Sequence, residues 1–349
     1  MQQHPTTDEI YKQLENSDFS ETSLTKLASP TEVLPKFPEV IDSTIIALFS
    51  DCPLKCYREH FLGLSSPVPS IHLHAGGAFA HALEVVRRER WEKDRTFNDC
   101  LETAFRAYTR FWGDVEPPKH GTGANKTFER MWQAVEFYFE QYPIDTDPIR
   151  PHRFPDGRTG VEFTFGIPLP INHPDTGDPI IYGGRFDLLG YYDNLNAVID
   201  EKTTTALGAS WANQWKMRGQ MLGYVWAARQ SGVDVRHAVI RGIAILKTKF
   251  NTLPVIESGY QDYMLDRWYY SMVKKVDRMV RYYNDTQKML RAGGNPENPW
   301  PMSFSTACTN YGGCAFVDLC TSPKPERWYG DFDIRRWNPL AKNPLETNS

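Results

Sequence analysis

The chain has 349 residues and a formal net charge of −4, and 41% of its residues are hydrophobic. This length predicts one large domain or two modest ones, and the weak negative charge argues against a protein that coats nucleic acid with its whole surface. The sequence has no apolar run of about 18 residues and no signal-peptide layout, so we expect an intracellular, cytoplasmic protein that does not contact a membrane.

The first 41 residues are polar and interrupted by four prolines, and they predict an arm or a loosely docked segment. The next stretch, 43–64, predicts a short helix capped by Ser43 and a break at Cys52-Pro53. A second helical turn then carries Cys56, which we expect to be a buried thiol.

Three helices are predicted in the following region. Residues 74–91 have the apolar spacing of a helix, and Gly76 and Gly77 near its start permit a close approach by another element. Residues 97–112 and 126–142 predict two more amphipathic helices. We expect these helices to form a lobe over the rest of the fold.

The segment 161–165 alternates apolar and polar residues as a strand does. It carries Glu162, either as a metal ligand or as an outward-facing carboxylate. Two further strand-like segments, 185–192 and 197–203, are separated by Asn194 and its polar neighbours, and this pattern predicts a β-hairpin.

The hairpin carries the residues that indicate chemistry. Side chains alternate along a strand, so Asp200 and Lys202 point to one face and Glu201 to the other, and the hairpin can bring Asp187 beside Asp200. Two converging carboxylates repel each other unless a cation lies between them, and a nearby lysine can stabilise charge at a phosphate. The pattern predicts a divalent-metal phosphodiesterase; the alternative is a solvated strand end with a surface ion pair.

The rest of the chain predicts further helices and strands. Residues 211–230 are helical in pattern and place Gln220 and Tyr224 on one face. Strands are expected over 235–246 and 252–258, followed by a long helix rich in Tyr and Arg. That helix is either packed on the core with its charged face in solvent, or it binds single-stranded nucleic acid through its basic and aromatic side chains.

Cys308, Cys314 and Cys320 are separated by five residues each time. An intracellular protein does not usually place such a group in disulfides, so a metal site is the better interpretation. The site needs a fourth thiolate, which Cys52 can supply. The metal would be an iron–sulfur cluster, with zinc as the alternative.

Several motifs occur together in a recognisable order: Gly77 to His81, Gly184 to Asp187, Asp200-Glu201-Lys202-Thr203, Gln220 to Tyr224, and the four cysteines. In this order they resemble the PD-(D/E)XK nuclease superfamily, most of all its RecB-like branch with an iron–sulfur cluster, of the type found in phages and in CRISPR adaptation. The spacing of the last three cysteines departs from many members of that branch.

The resemblance implies an α/β (α+β) fold with a restriction-endonuclease-like core, in which a central mixed sheet is flanked by helices, with a helical lobe and a cysteine-clasped cluster region. We expect four parts, namely an arm over 1–41, a helical lobe over 42–155, a nuclease core over 156–295, and a cluster segment with a polar tail over 296–349.

The resemblance also implies an activity, that of a Mg²⁺- or Mn²⁺-dependent deoxyribonuclease. The implied metal ligands are His81, Asp187, Asp200 and the carbonyl of Glu201. The implied catalytic residues are Asp187, Asp200, Lys202, Gln220 and Tyr224. The implied ligands of a [4Fe-4S] cluster are Cys52, Cys308, Cys314 and Cys320.

The implied substrate is DNA that is single-stranded or has free ends, and the implied process is exonuclease cleavage in recombination, repair or CRISPR-type processing. The sequence has no Walker or helicase motif, so any unwinding would require a helicase or recombination partner. The alternatives are a non-catalytic DNA-binding module that keeps the fold and cluster, and a zinc-clasped scaffold that does not bind nucleic acid.

Overall fold

The computed structural model of the protein describes residues 34–67, 70–309 and 313–340. Most of the expected N-terminal arm and the end of the polar tail therefore lie outside the described residues. The last part of the expected arm, 34–41, packs in the core, where Phe37 and Ile41 are buried.

The helices and strands are numbered in chain order. The helices are α1 (Ser43–Asp51), α2 (Pro53–Cys56), α3 (Ile71–Trp91), α4 (Phe97–Trp112), α5 (Phe128–Gln141), α6 (Ala209–Asn213), α7 (Gly219–Gln230), α8 (Asp262–Arg291) and α9 (Val317–Thr321). The strands are β1 (Val40–Ile41), β2 (Leu64–Ser65), β3 (Ile149–Pro151), β4 (Val161–Asn172), β5 (Pro179–Tyr192), β6 (Leu195–Thr204), β7 (His237–Ile245), β8 (Phe250–Ser258) and β9 (Asp333–Ile334).

A mixed sheet of seven strands forms the centre of the part of the chain that is described. Its main path is β1-β5-β6-β7-β8, and β3 and β4 also pair with β5. β6 and β7 run parallel, whereas β5 is antiparallel to both β4 and β6. Helices flank both faces, which confirms the predicted mixed α/β fold.

The long strand β5 has one edge that is only partly paired. β4 pairs with β5 as far as Leu188, and β6 pairs with β5 from Leu188 onward, so these two strands occupy opposite edges. On the edge shared with β6, β1 pairs only with Ile181 and Tyr182. The stretch 183–187 on that edge therefore has no ladder partner among the described strands.

The predicted hairpin between β5 and β6 is confirmed. The two strands pair through Tyr192 and Leu195, and the two residues between them, Asp193 and Asn194, have φ angles of 49° and 65°. Positive φ angles at both positions match the twist of a two-residue hairpin, and Asp and Asn tolerate them better than most residues.

Two cores lie on opposite faces of the sheet. On one face, α1, α7 and α8 bury residues against Tyr182 of β5 and Val198 of β6. On the other face, α3, α4 and α5 form a helical core that extends to Ile243 and Ile245 of β7. None of the described helices is long and apolar enough to cross a membrane.

Two local predictions were wrong in detail. The N-cap of α1 is Asp42 rather than Ser43, because the Asp42 carboxylate accepts a hydrogen bond from the Ile45 amide at 2.8 Å. The helix expected over 211–230 is divided into α6 and α7. It restarts at Gly219, after Arg218 adopts an extended conformation.

Candidate active site

Three carboxylates lie side by side across the sheet. Continuing the register of β5 and β6 by one residue beyond Leu188 and Ile199 places Asp187 opposite Asp200. On the other edge of β5, Glu162 lies between Val161 and Phe163, whose partners are Leu188 and Phe186, so it is also opposite Asp187. Glu162, Asp187 and Asp200 therefore form a row across β4, β5 and β6.

The positive charges near this row do not fully neutralise its three carboxylates. Burial raises the pKa of Asp200 to about 7 and that of Glu162 to about 8, and the neighbouring Asp187 adds to both increases. Burial also raises the pKa of Asp187, and the charge of Lys202 only partly opposes it. Like charges brought together in a buried site favour a bound cation.

Lys202 lies beside this row. Its ammonium donates a hydrogen bond to Asp200 Oδ1 at 2.9 Å and lies 2.7 Å from Oδ2. About a third of the side chain, 33%, is exposed. Burial works against its charge, but Asp200 and Asp187 outweigh that effect and raise its pKa. Lys202 is therefore a charged group that is open to a ligand.

The backbone at Glu162 is strained. Its φ angle is 47°, a left-handed value that is unfavourable for a residue with a long side chain. Its neighbour Val161 packs in a third, smaller buried cluster with Leu188 and Ile199, whereas Phe163 packs against the core of α1, α7 and α8. The usual alternation along β4 is therefore broken at Glu162. The carboxylate pairs with Arg185 at 2.7 Å. Such strain persists only where surrounding structure fixes it, and it is typical of functional sites.

Gln220 and Tyr224 close the unpaired edge of β5. The Tyr224 hydroxyl donates to the Arg185 carbonyl at 2.9 Å and accepts from Gln220 Nε2 at 3.2 Å. Burial, together with the charges of Asp187 and Asp200, raises the pKa of Tyr224 well above its usual value. The pair thus lies next to the carboxylates, and its bonds in this structure are to the backbone and to each other.

Glu201 points to the opposite face of the sheet from Asp200 and Lys202. Arg87 of α3 pairs with its carboxylate through both guanidinium nitrogens, one of them at 3.1 Å from Oε2. The Tyr138 hydroxyl donates to Glu201 Oε1 at 2.8 Å and accepts from Arg241 at 3.1 Å. Sequence reasoning missed this buried group, since Arg87 and Tyr138 occur in helices with ordinary amphipathic patterns.

A second contact fixes Glu201 from the active-site face. Its backbone amide donates to Asp187 Oδ2 at 3.3 Å. The side chain of Glu201 is thus held by Arg87 and Tyr138, and its backbone amide by Asp187, so the residue is fixed by both.

His81 lies on α3 with contacts of its own. Its Nδ1 is 3.2 Å from Glu84 Oε2, and its ring is tilted against Phe111. Gly77, one turn earlier, permits this packing, because a β-carbon there would lie 3.1 Å from the Phe111 ring. The structure therefore brings Asp187, Asp200 and Lys202 together and links His81 to Glu84 instead.

The carboxylates fit a hard divalent cation in their chemistry. Asp200 Oδ2 is buried, and the Lys202 ammonium, 2.7 Å away, forms an ion pair with it but no hydrogen bond of suitable geometry. Oxygen donors are those that Mg²⁺ prefers, and Mg²⁺ usually keeps several waters and substrate oxygens as ligands. Among the described residues, no three His, Cys, Asp or Glu side chains form a complete metal site on their own.

The four predicted cofactor cysteines are free thiols, and Cys52 and Cys314 lie near enough to Cys320 to act on its pKa. Burial raises the pKa of Cys320, and the neighbouring thiols of Cys314 and Cys52 add to this effect. The Cys314 amide donates to the Cys308 carbonyl at 2.9 Å. As thiolates, these cysteines would suit iron–sulfur or zinc chemistry. In the described part of the chain they do not form a group of three or more metal-binding side chains.

Arg58 is buried beside these cysteines, and it was also missed from the sequence. It is 2% exposed and binds Glu297 through two hydrogen bonds of 2.8 and 2.7 Å. A third donor points to Cys320 Sγ at 3.1 Å. A guanidinium in this position stabilises a thiolate. Cys56, as predicted, is a buried thiol.

A family model described as the PD-(D/E)XK nuclease superfamily matches residues 43–321. A solved structure titled "Crystal structure of SSO0001" is 12% identical, with 58% of this chain and 74% of that chain covered and a TM-score of 0.27. No curated protein matches the chain.

Proposed function

The chain belongs to the PD-(D/E)XK nuclease superfamily, whose members use divalent metals, and on this premise we propose that it is a Mg²⁺- or Mn²⁺-dependent deoxyribonuclease. The observation that supports the proposal is the row of Glu162, Asp187 and Asp200 with Lys202 beside it. In this proposal the chain is a RecB-like exonuclease that degrades single-stranded DNA or DNA ends.

The proposed cation ligands are Asp187, Asp200, the Glu201 carbonyl and His81, with Glu162 beside them. When bound, the cation would neutralise charge at the phosphate and lower the pKa of a water molecule. Because His81 contacts Glu84 in this structure, its role requires a change of side-chain conformation.

Lys202 has the central role in the proposed chemistry. Its ammonium, held at 2.9 Å from Asp200 Oδ1, would orient the attacking water and stabilise the charge that develops on the phosphate oxygens. Gln220 and Tyr224 support the backbone of β5 next to Asp187, so they would position this carboxylate rather than contact the reacting atoms.

The activity is tested with end-labelled single-stranded and double-stranded DNA in Mg²⁺ or Mn²⁺, with a chelator as the blank. We expect Lys202→Ala to fold and bind DNA and to lose cleavage by about 100-fold or more. Lys93→Ala is the matched control, since Lys93 is 60% exposed and pairs with Glu89 of α3. Cleavage by Lys202→Ala at the wild-type rate would overturn the proposal.

Two further comparisons test whether the protein cuts from DNA ends and whether it is catalytic. An exonuclease leaves circular single strands intact and releases short products from linear ones, whereas cutting of circles would identify an endonuclease. A wild-type protein that binds DNA without cutting it in either metal would instead be the non-catalytic binding module.

We also propose that Cys52, Cys308, Cys314 and Cys320 bind an iron–sulfur cluster that clasps α1 to the segment after α8. The test is the iron and acid-labile sulfide content of anaerobically purified protein, with about four of each expected per chain for a [4Fe-4S] cluster. Cys320→Ser should lose both, while Cys100→Ser, a buried thiol of the helical lobe, should keep them. If the purified protein contains stoichiometric zinc and no iron, the proposed iron–sulfur cluster is contradicted.

A further inference from the structure

Lys126 is a buried lysine next to the strand that carries the proposed active site. It is 2% exposed, and its ammonium lies 3.4 Å from Thr203 Oγ1. Thr203 directly follows Lys202. The turn before Lys126 packs closely on the start of α3, because a β-carbon at Gly123 would lie only 2.7 Å from the Ile71 side chain.

The charge of Lys126 has no counter-ion in the described structure. Burial is the one cause that acts on its pKa, which falls to about 8. The buried cations Arg58, Arg87 and Arg241 differ in this respect, since each pairs with a carboxylate. An isolated buried ammonium costs several kcal/mol, and binding of an anion would offset this cost.

The groups around Lys126 are small or polar. Gly76 of α3 has no side chain to cover Thr203, and a β-carbon there would lie 3.5 Å from Thr203 Oγ1. His72 is exposed in the first turn of α3; burial lowers its pKa, and the charge of Lys126 lowers it further. The start of this 21-residue helix adds partial positive charge.

We propose that Lys126 binds a backbone phosphate of the nucleic acid strand, next to the phosphate that is cleaved. The inference rests on the proposed function. β6 ends at Thr204, with Lys202 on one face and Thr203 beside Lys126 on the other. Because Lys126 is 2% exposed, its side chain must turn outward to reach a nucleic acid strand that crosses this end. A phosphate contact positions the strand without selecting a base sequence.

The test measures binding of a short single-stranded DNA at several salt concentrations, in the Lys202→Ala background so that no cleavage occurs. Adding Lys126→Met should lower the affinity by about three- to tenfold and reduce the slope of log Kobs against log salt by about 0.7, as for the loss of one phosphate contact. Lys126→Arg should keep the slope, and Lys93→Met is the matched control.

A methylphosphonate scan separates a direct contact from a structural effect. Neutralising one particular phosphate should weaken binding with Lys126 present and have no further effect on Lys126→Met. An unchanged salt slope, or an equal methylphosphonate penalty in both proteins, would overturn the inference. If the single variant Lys202→Ala cleaves DNA, the proposed function is refuted. The measured effect of Lys126 on DNA binding can still be interpreted in that case.

Discussion

The Tyr224 hydroxyl donates a hydrogen bond to the Arg185 carbonyl, 2.9 Å away, in the stretch of β5 that neither β1 nor β6 pairs with. The side chain from α7 thus replaces a missing ladder partner two residues before Asp187. A buried carbonyl that loses a hydrogen-bond donor costs about 1–3 kcal/mol, so this bond stabilises β5 close to Asp187.

Replacing Tyr224 by Phe should lower the free energy of unfolding by about 1–2 kcal/mol, because the Arg185 carbonyl and Gln220 both lose their partner. Cleavage should slow through kcat more than through KM, since Asp187 loses support and the phosphate contacts remain. Urea unfolding and steady-state kinetics measure the two effects. Tyr263→Phe is the control, as Tyr263 is 66% exposed; equal behaviour of the two variants would contradict the prediction.

The Arg87–Glu201 pair provides a second prediction. Both residues are buried, at 4% and 7% exposure, so removing one partner leaves an uncompensated charge. Arg87→Met or Glu201→Gln alone should lower the free energy of unfolding by about 3–5 kcal/mol. The double variant should be less destabilised than the sum of the two. Strict additivity in this double-mutant cycle would show that the two groups do not interact.

The raised carboxylate pKa values predict how stability depends on pH. Without metal, folded Asp200 keeps its proton up to a pKa of about 7, whereas the unfolded chain loses it near 3.8. The unfolded state therefore binds fewer protons between these values, and this group makes the free energy of unfolding fall as pH rises from about 4 to about 7. Asp200→Asn should flatten this decline when Tm is followed against pH.

Mg²⁺ binding should show the opposite trend, because a bound cation requires ionised carboxylates. We expect the apparent Kd for Mg²⁺ to fall by about tenfold for each pH unit over which one proton is released. Calorimetry between pH 5.5 and pH 8.5, at about half-unit steps, would measure it. An Mg²⁺ affinity that does not change with pH would contradict the raised pKa values.

The strained backbone at Glu162 predicts a difference between two substitutions. Glu162→Gln and Glu162→Gly both remove the carboxylate, and both should impair cleavage. Glycine also relieves the φ angle of 47°, so Glu162→Gly should be more stable than Glu162→Gln by about 1 kcal/mol. Chemical unfolding gives the comparison, and a less stable glycine variant would show that the conformation is not strained.

Much of the fold could be predicted because its signals are local. The β5–β6 hairpin follows from two apolar segments around an Asp-Asn turn, and the opposite directions of Asp200 and Glu201 follow from strand alternation. The motif order likewise predicted the superfamily. The hairpin and the strand alternation depend on residues within about 20 positions of one another, and each motif is itself a short local pattern.

The remaining features depend on contacts between distant residues. Arg87 and Glu201 are 114 positions apart, and Lys126 and Thr203 are 77 apart. No local pattern marks either pair. The conformation of Glu162 also could not be predicted, since glutamate does not favour positive φ and the surrounding sheet imposes it.

The chain closes on itself at its two described ends. β9 pairs with β2 through Ile334 and Leu64, and the Trp337 indole donates to Asp42, the cap of α1, at 3.0 Å. During synthesis, these partners of the first helix leave the ribosome nearly 300 residues after it. The region of α1 and β2 therefore cannot complete its contacts until β9 and Trp337 have been synthesised. Nascent chains halted before residue 333 would expose apolar surface to chaperones and proteases.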